Sequence, residues 1–215
     1  MAQIQSGVDA TLQTVDPGFK ASRTSLRPME NLGWLSIGAR SGALTGAAAN
    51  SAVFSFRNIA ANPVVVRRVG VGFVCTTGFT TAQELAFGLM VARAFTASDT
   101  AGTAIVLTGS NCKMRTSLAT LTSVDARIAA AAALTAGTKT LDTNHLGVVG
   151  AWALAATAGA LIVPLPNNLL QHDAGDYPLV LAQNEGFNIV NLVAMGAVGV
   201  GTLYVNVELA EATAY

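Results

Sequence analysis

The chain has 215 residues, enough for one sandwich-sized domain with a real core, and no second domain is required. Apolar residues make up 52% of it and charged residues 11%, with 12 basic and 12 acidic side chains that cancel, where an ordinary soluble domain is about 25% charged. A nucleic-acid footprint is excluded, because the basic residues are scattered and the chain is not basic overall. A surface this neutral is poorly protected against association and points to a protein that sits against neighbours.

Residues 1–45 are polar and turn-forming, with Pro17 and Pro28, and read as an N-terminal arm, with a peripheral strand of the same domain as the alternative; one possible first strand, Asn31 to Ile37, is anchored by Trp34. The opening MAQIQSGVDATLQTVDPGFK has no apolar core, which argues against a secretory signal peptide and for synthesis and assembly in a cytoplasm. Residues 46–215 read as a single β-sandwich domain. Ala52, Phe54 and Phe56 alternate with Val53, Ser55 and Arg57. After the Asn62-Pro63 turn, Val65, Arg67, Val69, Val71 and Phe73 fall on one face of a strand and Val64, Val66, Arg68, Gly70, Gly72 and Val74 on the other, Arg67 and Arg68 marking a loop, a bulge or an edge. Leu85, Phe87, Leu89 and Val91 give a further apolar face.

From Ala94 to Thr122 the chain reads as a long elaborated loop, followed by a strand at Val124 to Ala130; Ala129 to Ala136 suits either a helical turn or a continued strand. Leu146 to Leu165 carries no charge over a length that would span a bilayer. It is rich in Ala and Gly and no Lys or Arg follows it, so a strand, a turn around Ala156 to Gly159 and a second strand from Ala160 to Val163 replace the membrane reading. Strands at Leu179 to Ala182, Phe187 to Val193 and Leu203 to Leu209 complete the pattern, the last with Leu203, Val205, Val207 and Leu209 inward. The fold class is therefore all-β: an antiparallel β-sandwich with the jelly roll as the specific choice, preceded by the extended arm.

The basic residues between Arg57 and Arg127 and the acidic ones beyond Lys139 suit either lateral contacts between copies or pairing within one fold. Material for a catalytic pocket is sparse. His172, Asp173 and Asp176 form the best polar cluster, yet their spacing matches no established cation loop, and a solvated turn explains them, as it does His145. Cys75 and Cys112 have no metal-ligand spacing and read as free thiols; Lys113 and Arg115 would lower the Cys112 thiol pKa, but no histidine lies close by. GAVGVG before Thr202 lacks the Lys-Ser/Thr of a phosphate loop and reads as a hairpin connection. No catalytic residue, cofactor site or metal site is predicted.

The stretch DYPLVLAQNEGFNIVNLVAMGAVGVGTLYVNVELAE, Asp176 to Glu211, resembles the C-terminal strands of small β-rich structural proteins of tailed bacteriophages, in which PLVL-x-x-NEGF leads to a hairpin and a last strand ending in E-x-A-E. ARAFTASDTAGTAIVLTGSNCKMRTS is similar to the same group's pattern, with Ser110-Asn111 in place of Gly-Asn, and the similarity covers most of Ser51 to Glu211. The resemblance implies a virion component without enzymatic activity: a capsid decoration or cement protein, homo-oligomeric with a trimer favoured, bound to the major capsid protein or another virion protein, with no direct nucleic-acid or membrane partner. A tail, fibre or spike component, or a jelly-roll major capsid subunit, are the alternative roles.

Overall fold

The computed structural model describes residues 4–6, 11–13, 34–114, 124–162, 167–172 and 178–212. The chain divides into two units, Met1–Arg27 with Asp173–Asp176, and Pro28–His172 with Tyr177–Tyr215. In the first, β1 (Ile4–Ser6) and β2 (Thr11–Gln13) pair antiparallel, Gln5 opposite Leu12.

The second unit is an antiparallel β-sandwich. One sheet runs β10 (Gly147–Ala153), β6 (Gln83–Arg93), β14 (Glu185–Asn191), β4 (Ser51–Asn58), β8 (Val124–Ile128), β7 (Thr103–Ala104), with β9 (Thr140–Leu141) continuing the β10 side of β6. In the other, β15 (Val200–Glu211) lies between β3 (Trp34–Arg40) and the 14-residue β5 (Val64–Thr77). The far edge of β5 is covered in succession by β11 (Gly159–Ile162), β12 (Asn168–Gln171) and β13 (Leu179–Leu181). The pairings are nested: β3 with β15, β4 with β14, β5 with the β11 to β13 series, β6 with β10.

The core between the sheets comes from the alternate residues that the strand period sends inward. Leu203, Val205, Val207 and Leu209 on β15 face Leu85, Phe87, Leu89 and Val91 on β6 within one buried cluster, as the alternation predicts. Phe187 stacks between Phe54 and Phe56, at centroid distances of 5.8 and 5.5 Å, and Phe73 meets Phe87 at 5.6 Å, spacings at which aromatic pairs add to simple area burial.

Several expectations are corrected. Of the proposed arm, residues 34–45 belong to the sandwich: β3 pairs with β15 along its whole length, Leu44 bridges Gly201, and Leu35, Ile37 and Leu44 are buried in the core. Residues 31–33 of the expected first strand lie outside the described residues, and the strand runs on to Arg40. On β5 the faces change over at Arg67: Val64 and Val66 are in the core on one side of it, Val69, Val71, Phe73 and Cys75 on the other. Arg68 pairs with Glu208 and Val66 with Leu209, so Arg67 is an extra residue, and one extra residue inverts the parity of a strand. Val53 is likewise skipped between the pairs Phe54↔Ile189 and Ala52↔Val190, which brings it into the core beside Phe54.

Residues 129–136 form neither a helical turn nor a strand; Ala129 and Leu134 donate their amides to Val53 O and Ala52 O at 2.9 and 2.8 Å. The GAVGVG segment is not a hairpin, since β14 and β15 lie in different sheets and the connection crosses the sandwich. Leu146 to Ile162 is strand, turn and strand as expected, β10 joining one sheet and β11 the other. Among the described residues no helix is long and apolar enough to cross a membrane.

Candidate assembly surface and buried polar cluster

An edge strand exposes unpaired amides and carbonyls, and natural sheets guard such strands with charge, proline or bulges. Among the described residues β10 ends its sheet, and the strand itself carries no charge, proline or bulge. Its alternation turns Val149, Ala151 and Ala153 to the core and leaves Val148 and Trp152 55% and 62% exposed. Leu146 before the strand and Leu154 after it are also exposed, and 146–165 contains no charged residue. The edge is held close to the opposite sheet: a Cβ at Gly147 would fall 1.8 Å from Leu169 O, so only glycine fits there. Exposed large apolar side chains along a sheet edge make that edge a candidate contact surface.

The charges pair within the fold. Arg93 reaches Glu185 at 2.8 Å and Asp142 at 3.3 Å, and Arg68 reaches Glu208 at 3.5 Å. These bonds join the basic middle of the chain to its acidic last third, so of the two readings of the charge distribution the internal one accounts for these pairs. All three are at least partly exposed and each contributes little to stability.

The most buried charges occupy the outer face of the β10 sheet. The 94–102 loop and the 134–139 segment run side by side, Thr100 and Thr135 exchanging amide bonds at 2.9 and 3.0 Å. Beneath them Asp99 is fully enclosed and bridges three donors. Its Oδ1 accepts from Gly137 N at 2.7 Å and contacts Lys139 Nζ, while its Oδ2 accepts from Asn188 Nδ2 at 2.7 Å. Asn188 projects from the centre of β14, opposite in direction to the core residues Phe187 and Ile189, and its Oδ1 has no hydrogen-bond partner among the described residues. Phe95 closes the pocket, with Lys139 Nζ 4.8 Å and the Arg57 guanidinium 5.8 Å from its ring centroid. Burial alone would raise the Asp99 carboxyl; the Gly137 amide, Lys139 and Asn188 outweigh it and hold the group below its ordinary value.

None of these three residues stood out in the sequence. Asp99 lies 40 residues from Lys139 and 89 from Asn188, and no local spacing connects them; the one hint was that Asn188 interrupts the apolar run from Phe187 to Val190.

Of the residues singled out for chemistry, none enters the Asp99 cluster, and His145 adjoins the β10 edge. His172 donates its amide to Arg67 O at 2.9 Å, while Asp173 and Asp176 lie outside the described residues. His145 packs into the space left by Gly88, where a Cβ would come within 2.4 Å of its ring. Cys75 is buried and donates its thiol to Thr77 O; Cys112 is half-buried on the loop beside β3. Burial raises both thiols, which corrects the expectation that Cys112 is lowered by its basic neighbours. Among the described residues no group of three or more His, Cys, Asp or Glu could hold a metal ion.

No protein-family model matches the chain, and no characterised protein or solved structure shows significant similarity to it.

Proposed function

We propose that the chain is a structural subunit of a tailed-bacteriophage particle, a decoration or cement protein that stabilises the capsid shell through many copies of one contact, and that its sandwich is a jelly roll. The observation that carries the assembly role is the edge strand β10, free of charged residues, where Val148 and Trp152 face outward. The nested strand pairing supports the jelly roll, since it is what results when one long antiparallel ribbon is rolled into two sheets. Fold alone does not assign a role; the resemblance of Asp176 to Glu211 is what directs the reading to a virion.

The mechanism is passive. Apolar area buried at each contact contributes about 25 cal/mol per Å², and a closed oligomer, with a trimer favoured, multiplies weak contacts over the shell. Such a protein acts without catalytic residue or cofactor, in the virion, after assembly in the host cytoplasm.

Antibody labelling of purified particles tests the assignment. Label distributed over heads is the expected result. Label confined to tails overturns it in favour of a fibre or spike, and shells formed by the chain expressed alone overturn it in favour of a major capsid subunit.

A further inference from the structure

A lysine, an asparagine and a carboxylate share one dry pocket, and together they are the reactants for a cross-link. We propose that Lys139 and Asn188 join through an intramolecular isopeptide bond, with Asp99 carrying the protons between them.

The geometry places one carboxylate against both partners. Lys139 Nζ contacts Asp99 Oδ1, and Asn188 Nδ2 lies 2.7 Å from Asp99 Oδ2. The Asp99 and Asn188 side chains are inaccessible to solvent and that of Lys139 is 5% exposed. Groups held against one shared carboxylate react at an effective concentration far above any attainable in solution once they meet.

In the first step the Lys139 ammonium passes a proton to the Asp99 carboxylate, which converts an ion pair into a neutral amine and a neutral acid. Burial favours that neutral pair, while the Phe95 ring and the donors on Asp99 favour the charged one. The amine Nζ then attacks Asn188 Cγ while Asp99 protonates the amide oxygen. The Nζ–Cγ bond forms, a second Lys139 proton moves through Asp99 to Nδ2, and as the Cγ–Nδ2 bond breaks and ammonia leaves, the carbonyl reforms and its oxygen returns its proton to Asp99. The products are a secondary amide, ammonia and protonated Asp99, so atoms and charge balance with no external reagent.

Asn188 Oδ1 has no hydrogen-bond partner among the described residues, a costly state for a buried acceptor. Rotation of the amide brings that oxygen to Asp99, and in the product the protonated acid donates to it. The enclosing loops also exclude the water that would hydrolyse the linkage. Gly137 positions the carboxylate: a Cβ there would meet Ala97 O at 2.0 Å, so the amide that holds Asp99 requires glycine. The bond would fasten the segment entering β9 to the central strand β14 and clamp the 94–102 loop beneath it.

Intact-mass spectrometry of the purified full chain tests the proposal. The expected mass is lower than that of the sequence by about 17 Da, one ammonia, and a digest should contain a branched peptide joining Lys139 to Asn188. Lys139→Arg and Asn188→Ala should each restore the sequence mass, and Asp99→Asn should leave the two side chains unjoined. A wild-type chain at its sequence mass overturns the proposal, as does the same loss mapped to an unbranched succinimide. A loss of about 18 Da mapped to a Lys139–Asp99 linkage overturns the choice of Asn188 as the acceptor.

Discussion

Burial governs the two thiols, where the sequence pointed to charge. Lys113 follows Cys112 directly, yet the apolar surroundings of that loop push its thiol up, and Cys75, at 1% exposure, is raised in the same way. A thiol raised by burial is both less ionised and less accessible. In native protein at neutral pH, Cys75 should be silent to a disulfide exchange reagent and Cys112 slow, with both reacting fully in denaturant; rapid stoichiometric labelling of Cys112 before unfolding would contradict this. The same limit hid the Asp99 cluster. Charges adjacent in sequence are easily read, whereas a carboxylate enclosed by residues from a loop, a second loop and a distant strand acquires its character only from the fold.

Strands were legible wherever a simple alternation ran unbroken, as on β6 and β15, because period 2 and half-burial leave the same trace in any sheet. The trace fails at bulges. The Arg pair in β5 signalled an irregularity, but only the pairing with β15 shows that Arg67 is the added residue and that Val64 and Val66 therefore belong to the core. The bulge is also anchored: Arg67 O accepts the His172 amide at 2.9 Å, and its guanidinium lies 5.7 Å from the centroid of Trp34. Arg67→Ala keeps the residue count and should cost about 0.5–1 kcal/mol, the worth of an exposed cation–π contact. Deleting Arg67 removes the parity change and turns Val64 and Val66 away from the core, so the loss should reach about 3 kcal/mol or more. Urea unfolding of both variants checks the contrast, and equal costs would show that the ladder tolerates a shift of register.

At the scale of the whole molecule, low charge raised the expectation of association before any strand was placed, but suggested no location. The proposed location rests on two facts that composition does not contain: β10 ends its sheet, and its outward residues are Val148 and Trp152. A strand near Trp34 was legible, but not its place in the sandwich, because its Leu35 and Ile37 meet partners on a strand at the other end of the chain. If the β10 face is the contact, charging it should separate the subunits without unfolding them, since neither side chain contributes to the core. Burial of a large apolar side chain contributes about 1.5–3 kcal/mol. Val148→Lys combined with Trp152→Lys should therefore weaken self-association by about a hundredfold or more. Sedimentation velocity across a concentration series reads that change, and circular dichroism verifies the retained β-sheet. An oligomer of unchanged size and affinity in the double variant would remove this edge from the assembly contact and direct the search to the other faces of the sandwich.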